Sequence, residues 1–254
     1  MKSPWFPAAG RNSRARARLF CFPHAGGGAS LFGTWPPYFP DRLEVVSGHL
    51  PGQEERYREP AFVRMEPLLD ALEHAIMPFL DLPFSLFGHS LGAWVAFYLA
   101  RRLRQSSLRL PARLLVSGCR APHLPSRHER IHDLPQAQLL SEMQRRYAPI
   151  PAAILDDREM LALVVDALRA DFALLETTSF RAEEPLPCPI SSFRGDKDSM
   201  VDASESRDWA RHTRAGFHEF AVRGNHFYLR PPSAEVLALF RAQLEPLAMG
   251  APCP

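Results

Sequence analysis

The pentapeptide Gly88-His89-Ser90-Leu91-Gly92 constrains this chain more than any other stretch of it. It follows the apolar run Phe84-Ser85-Leu86-Phe87 and opens a helix-patterned stretch over 93–100. Gly-x-Ser-x-Gly between a strand and a helix is the setting of a nucleophile elbow. So tight a turn leaves no room for side chains two residues either side of the serine, and glycine stands at both places. The serine is lifted above the sheet edge with its hydroxyl exposed. The N-terminus of the following helix offers free N–H groups and a partial positive charge to an oxyanion. Ser90 is the candidate nucleophile; an ordinary Gly-rich turn in an α/β fold is the other reading of the same residues.

Around this turn, strand-like runs at 17–22, 43–49, 84–88, 112–118, 189–195 and 216–222 alternate with helical patterns. That alternation predicts an α/β fold, a mostly parallel central sheet with helices on both faces. Over 65–80, Leu68, Leu69, Leu72, Ile76 and Leu80 form a 3.6-residue stripe. The stretch 91–103 is apolar on most faces, as a helix packed under a sheet should be. The last helix, 233–247, follows Pro231-Pro232 with Ser233 as its N-cap. Between about 120 and 187 no strand pattern occurs, only helical stretches at 136–146 and 158–176 separated by Pro149-Ile150-Pro151. This reads as a helical insertion lying over the elbow serine as a lid, or as a peripheral helical layer. The domain is expected to span 18–247, with flexible tails at 1–17 and 248–254.

Composition narrows the class. Lys+Arg 30 against Asp+Glu 28 leaves a net charge of +2, which recommends no polyanion, so nucleic acid is not an expected partner. There is no apolar run of 18 residues, and residues 1–10 lack the apolar core of a secretory signal. A membrane is therefore not expected as a partner. Cys21, Cys119, Cys188 and Cys253 form no Cys-x-x-Cys pair and are expected to be free thiols in a reducing, cytoplasmic compartment. Arg11, Arg14, Arg16 and Arg18 read as a solvated tail rather than as a site for an acidic partner. Arg101, Arg102 and Arg104 read as a solvated helix end.

An alcohol near neutral pH needs a base within hydrogen-bond reach, and the base needs a third group to orient it. In α/β-hydrolases the chain order is Ser, then Asp or Glu, then His. Among ten histidines, His226 alone ends a late strand, followed by Phe227 and Tyr228, which can shield an imidazole from water. The acid lies in Gly195-Asp196-Lys197-Asp198. Strand-Gly-x-x-Asp spacing selects Asp198, which can fold back toward His226, while Asp196 is placed to cap the turn. Asp202 reads as the N-cap of the next helix. The oxyanion needs two backbone donors. Leu91 N–H, after the nucleophile, is one. Ala25 N–H is the other, or Gly26 N–H, from the loop Phe22-Pro23-His24-Ala25-Gly26-Gly27-Gly28. That loop lacks the Gly-Lys-Ser/Thr ending and the Gly-x-Gly-x-x-Gly spacing of nucleotide sites.

Five elements stand in order from about Leu19 to Leu244: Phe22-Pro23-His24-Ala25-Gly26-Gly27, Leu50-Pro51-Gly52-Gln53-Glu54-Glu55-Arg56, Leu86 to Ala93, Gly195 to Asp198, and Gly224-Asn225-His226-Phe227-Tyr228-Leu229. As a set they resemble the type II thioesterase family of the α/β-hydrolase superfamily, the stand-alone hydrolases that accompany non-ribosomal peptide and polyketide synthases. The Pro-Gly-x-Glu-x-Arg element is the most discriminating, because general esterases and lipases do not usually carry it. The sequence does not fix the oligomeric state, a monomer being the default expectation. The resemblance implies a serine thioesterase of secondary-metabolite (antibiotic) biosynthesis that needs no metal or cofactor. It would hydrolyse stalled acyl groups from the phosphopantetheine arm of acyl- or peptidyl-carrier domains, with Ser90, Asp198 and His226 as the triad. Asn225 departs from the pattern, standing where Gly often precedes the histidine. The alternatives are a carboxylesterase, a chain-releasing thioesterase, and an inactive hydrolase fold used for binding.

Overall fold

A computed structural model of the protein describes residues 3–147 and 150–249. Six strands, β1 (Ala17–Phe22), β2 (Leu43–Ser47), β3 (Phe84–His89), β4 (Leu114–Ser117), β5 (Ile190–Gly195) and β6 (Phe217–Val222), form one sheet. Its order is β2-β1-β3-β4-β5-β6, and every pairing is parallel. β1, β3 and β4 are buried along their whole length, as strands covered on both faces must be. Alternation along β1 divides the core: Phe20 and Phe22 face one cluster, Leu19 and Cys21 the other. The first face is covered by α1 (Met65–Ile76) and α2 (Leu91–Gln105). The second is covered by α7 (Ala234–Ala248) and by Phe32, Trp35 and Phe39.

The helix expected over 65–80 stops at Ile76 and continues as a 3-10 turn, Met77–Phe79. Pro78 has no N–H to donate into an α-helical ladder. Ser233 caps α7 by accepting from Val236 N–H. Asp202 caps α6 (Ala203–Arg207) in a capping box with Glu205. Between β4 and β5 lie only α3 (Gln136–Arg146), α4 (Ala152–Leu155) and α5 (Arg158–Thr177) among the described residues. Ile131, Leu139, Val165, Leu168 and Phe172 give this insertion a small core of its own.

Two expectations are corrected. Residues 3–16 are not a loose tail: Phe6 is fully buried, its ring edge-on to Phe20 at 5.1 Å. The buried Glu44 carboxylate accepts from Gly10 and Asn12 N–H at 3.1 and 3.0 Å and pairs with Arg18 Nε at 2.8 Å. The apolar pair Trp5-Phe6 drives this docking, since an exposed tail would leave both rings in water. Nor are the arginines at the end of α2 solvated. Arg101 is buried against Glu183, Arg104 reaches the same carboxylate at 2.6 Å, and Arg102 bridges Glu66 and Asp70 on α1. The expected tail at 248–254 begins inside α7, and residues 250–254, Cys253 among them, lie outside the described residues.

Candidate active site

The elbow is built by backbone crowding. A Cβ on Gly88 would fall 1.9 Å from Gly92 O, and one on Gly92 would fall 2.0 Å from Phe22 O. Only glycine lets β3 turn into α2 while α2 lies this close to the end of β1. Ser90 takes up the turn at φ 54°, ψ −115°, a conformation a side chain occupies only where its surroundings enforce it. Its N–H donates to Ser117 O at 2.8 Å and its carbonyl accepts from Ala93 N–H at 3.0 Å. The Leu91 N–H stands in the first turn of α2, where N–H groups have no partner within the helix.

Ser90 and His226 line one cavity of about 150 Å³ with Trp94, Tyr147, Leu175 and Val201. Tyr147 and Leu175 come from the insertion, which therefore supplies part of the cavity wall. Asp198 accepts from Met200 N–H through Oδ1 at 2.8 Å. Its Oδ2 meets His226 Nδ1 at 2.9 Å, and the carboxylate is wholly enclosed. A carboxylate only accepts, so Nδ1 carries the proton and Nε2 is left to accept one. Asp196 instead takes the Gly224 N–H at 2.9 Å, which separates the two carboxylates as the spacing suggested. The imidazole of His226 is enclosed by the rings of His89, Phe227 and Tyr147, with centroids 5.2, 5.3 and 5.7 Å away.

A buried relay behind the site holds the His226 backbone. His89 Nε2 meets His226 O at 2.9 Å and must donate to it. Burial keeps His89 neutral by driving its pKa well below the ordinary value, so Nδ1 accepts from the Ser117 hydroxyl at 2.7 Å. Ser117 in turn accepts from the Tyr228 hydroxyl. Cys119 also faces the cavity, but burial raises its thiol far above the ordinary range and keeps it protonated. Cys21 and Cys119 are free thiols.

In the loop after β1, Ala25 and Gly26 separate. Gly26 N–H donates to Asp171 Oδ2 at 2.8 Å, whereas Ala25 N–H has no hydrogen-bond partner among the described residues. The structure thus places Ser90, Leu91, Asp198 and His226 in one neighbourhood and favours Ala25 over Gly26 as the free donor. The sequence reading passed over Tyr147, the Ser117–Tyr228 pair and Asp171. Asp171 carried a signal: it is an acid on the buried stripe of α5 between Leu168 and Phe172.

Comparison with known proteins agrees with this site. The Thioesterase domain family matches residues 17–244. The chain is 37% identical over 240 residues to the gramicidin S biosynthesis protein GrsT of Aneurinibacillus migulanus, covering 94% of this chain and 93% of that protein. Its fold matches RedJ, a thioesterase from the prodiginine biosynthetic pathway in Streptomyces coelicolor, with a TM-score of 0.84, 32% identity and 92% of each chain covered. The type II thioesterase BorB from the borrelidin biosynthetic cluster matches at TM-score 0.82 and 29% identity, over 96% of this chain and 99% of that one. An elbow serine on an all-parallel sheet, a family match over nearly the whole domain and relatives that are themselves thioesterases lead to one assignment: the chain belongs to the thioesterase domain family and is an α/β-hydrolase acting on thioester bonds.

Proposed function

We propose that the enzyme clears acyl groups from the phosphopantetheine arm of acyl- or peptidyl-carrier domains in non-ribosomal peptide or polyketide synthesis, through an acyl-Ser90 intermediate. The observation that carries the reading is Ser90 at φ 54° on the wall of a cavity shared with His226, whose Nδ1–H is held by the enclosed Asp198. The biosynthetic settings named for GrsT, RedJ and BorB support the carrier-bound substrate.

In this mechanism the Ser90 hydroxyl attacks the thioester carbonyl as His226 Nε2 takes its proton. The oxyanion forms against the N–H groups of Leu91 and Ala25, and loss of one such donor typically costs about a hundred- to a thousandfold in rate. The C–S bond breaks and the thiolate leaves, and the proton that His226 took from Ser90 passes to it, which restores the thiol and frees Nε2 for the second half of the reaction. A thiol with a pKa of about 8.5 departs far more readily than an alkoxide, so acid assistance from His226 matters less here than for an oxygen ester. Water then attacks the acyl-Ser90 ester, its proton passing to His226 and on to the departing serine oxygen. The products are a free carboxylic acid and the restored carrier thiol. These groups suffice for each step, so the chemistry calls for no metal or bound cofactor, and the phosphopantetheine belongs to the carrier. The insertion acts as a lid, with the arm threading between it and the core. A cavity of about 150 Å³ suits a short acyl group.

The test is thiol release from acetyl- and propionyl-phosphopantetheinyl carrier protein, run beside the matched p-nitrophenyl esters. Preferential cleavage of the carrier thioesters is the expected result. Turnover of the esters with no release from carriers would overturn the reading in favour of a carboxylesterase.

A further inference from the structure

The element Pro51-Gly52-Gln53-Glu54-Glu55-Arg56 takes no part in the mechanism above, yet it is the most discriminating stretch of the sequence. In the structure it ends on a buried acid of the insertion. Gln53 Nε2 donates to both carboxylate oxygens of Asp171, at 3.1 Å to Oδ1 and 2.9 Å to Oδ2. Asp171 belongs to α5 and is buried. Its remaining hydrogen bond comes from the Gly26 N–H, at 2.8 Å to Oδ2. Leu168, one turn earlier on α5, packs over the same loop: a Cβ on Gly26 would lie 2.6 Å from Leu168 Cδ2.

The two peptide groups that flank Ala25 are thereby fixed. In the Ala25–Gly26 peptide, the N–H is held by Asp171. Its carbonyl is held by His24 Nδ1 at 2.9 Å, which donates because a carbonyl only accepts. In the His24–Ala25 peptide, the carbonyl accepts from Gly27 N–H at 2.9 Å. The N–H on the opposite side of that trans peptide plane is Ala25's, the one donor of the four groups left free. An oxyanion donor has value only if its direction is set before the charge develops. The hydrogen bonds to Asp171 and His24 supply that setting.

Burying a carboxyl is costly for the fold unless donors reach it. Burial pushes Asp171 up to about 7, against the opposing pull of the Gly26 and Gln53 hydrogen bonds. An apolar residue at this point of a helix stripe would avoid that cost. We propose that Asp171, braced by Gln53, is a positioning residue for catalysis: through it the insertion fixes the loop that presents the Ala25 N–H to the oxyanion. The inference rests on the thioesterase reading and on Ala25 as the second donor.

The test is steady-state kinetics on acetyl-phosphopantetheinyl carrier protein with melting curves, for wild type and for Asp171→Leu, Asp171→Asn, Gln53→Leu and Ser90→Ala. Asp171→Leu deprives Gly26 of its acceptor and should lower kcat about 10- to 100-fold, with KM within about threefold, because the loss falls on the transition state. Asp171→Asn keeps an acceptor for Gly26. Its amide can donate to Gln53 Oε1, which is buried without a partner, so it should stay within about threefold of wild type. Gln53→Leu leaves the Gly26 bond in place but unbraced, and should lower kcat about three- to tenfold without moving KM. A folded Asp171→Leu with wild-type kcat, or loss confined to KM, would overturn the inference while leaving the thioesterase reading intact. If Asp171→Leu does not fold, a folded Gln53→Leu with wild-type kcat would overturn it equally. Thiol release persisting in Ser90→Ala would overturn the reading and the inference together.

Discussion

At Ser90 the backbone holds a conformation that costs free energy, and the neighbouring glycines are what make it reachable. In the proposed mechanism the hydroxyl is activated entirely by its surroundings. His226 must keep its proton on Nδ1, and only an acceptor at Asp198 Oδ2 enforces that tautomer. Asp198→Asn offers an N–H where the acceptor stood and favours the opposite tautomer. We expect kcat on a carrier thioester to fall by about 10⁴, with the melting temperature little changed. A loss smaller than tenfold in steady-state assays would contradict the assigned role. The choice between Asp196 and Asp198 was legible because spacing from Gly195 separates a residue that closes a turn from one that reaches beyond it. Tyr147 was not legible, since nothing local announces that the end of α3 lies against the base 79 residues away in sequence.

At the scale of elements, the elbow couples three pieces: the end of β1, the turn after β3 and the start of α2. Gly92 is where α2 and β1 touch, with Phe22 O, Phe22 C and Pro23 O within 2.6 Å of its missing Cβ. Gly92→Ala must push α2 away from the strand that leads into the oxyanion loop. Overpacking against backbone should destabilise the fold by about 1–3 kcal/mol, and kcat should fall with it as the two oxyanion donors separate. Denaturant unfolding and steady-state kinetics measure both; a variant unchanged in both would contradict this geometry. All six strands and the main helices were legible from period and punctuation, because a sheet covered on both faces needs apolar strands. The boundary of α1 was misjudged where Pro78 sits inside an otherwise continuous stripe.

The whole molecule carries several ionisable groups sealed in its interior, and they set how it responds to acid. Burial lowers His24 and His212 from 6.5 to about 4, and takes His89 well below 6.5. Such groups bind protons in the unfolded chain before the folded one, so their contribution is complete above about 6.5 and is lost as pH falls toward 4. Asp171 acts in the opposite sense. Raised from 3.8 to about 7, it contributes most at low pH and loses that contribution as pH rises through about 7. With three histidines against one carboxyl, stability should fall between about pH 6.5 and 4. Melting curves across that range test it, and a temperature that holds or rises on acidification would contradict it. Long-range structure was the least legible part. Asp171 finds its partners 118 and 145 residues away, and the docked N-terminal segment was misread because its arginines outweighed Trp5 and Phe6.

In the proposed mechanism Ser90 carries the acyl group between carrier and water. The most direct test of that role is thiol release from acetyl-phosphopantetheinyl carrier protein by wild type and by Ser90→Ala, with both shown to be folded. Rapid release by wild type is expected, with a loss of at least about a thousandfold in the variant. Release by Ser90→Ala at a rate near that of wild type would contradict that role.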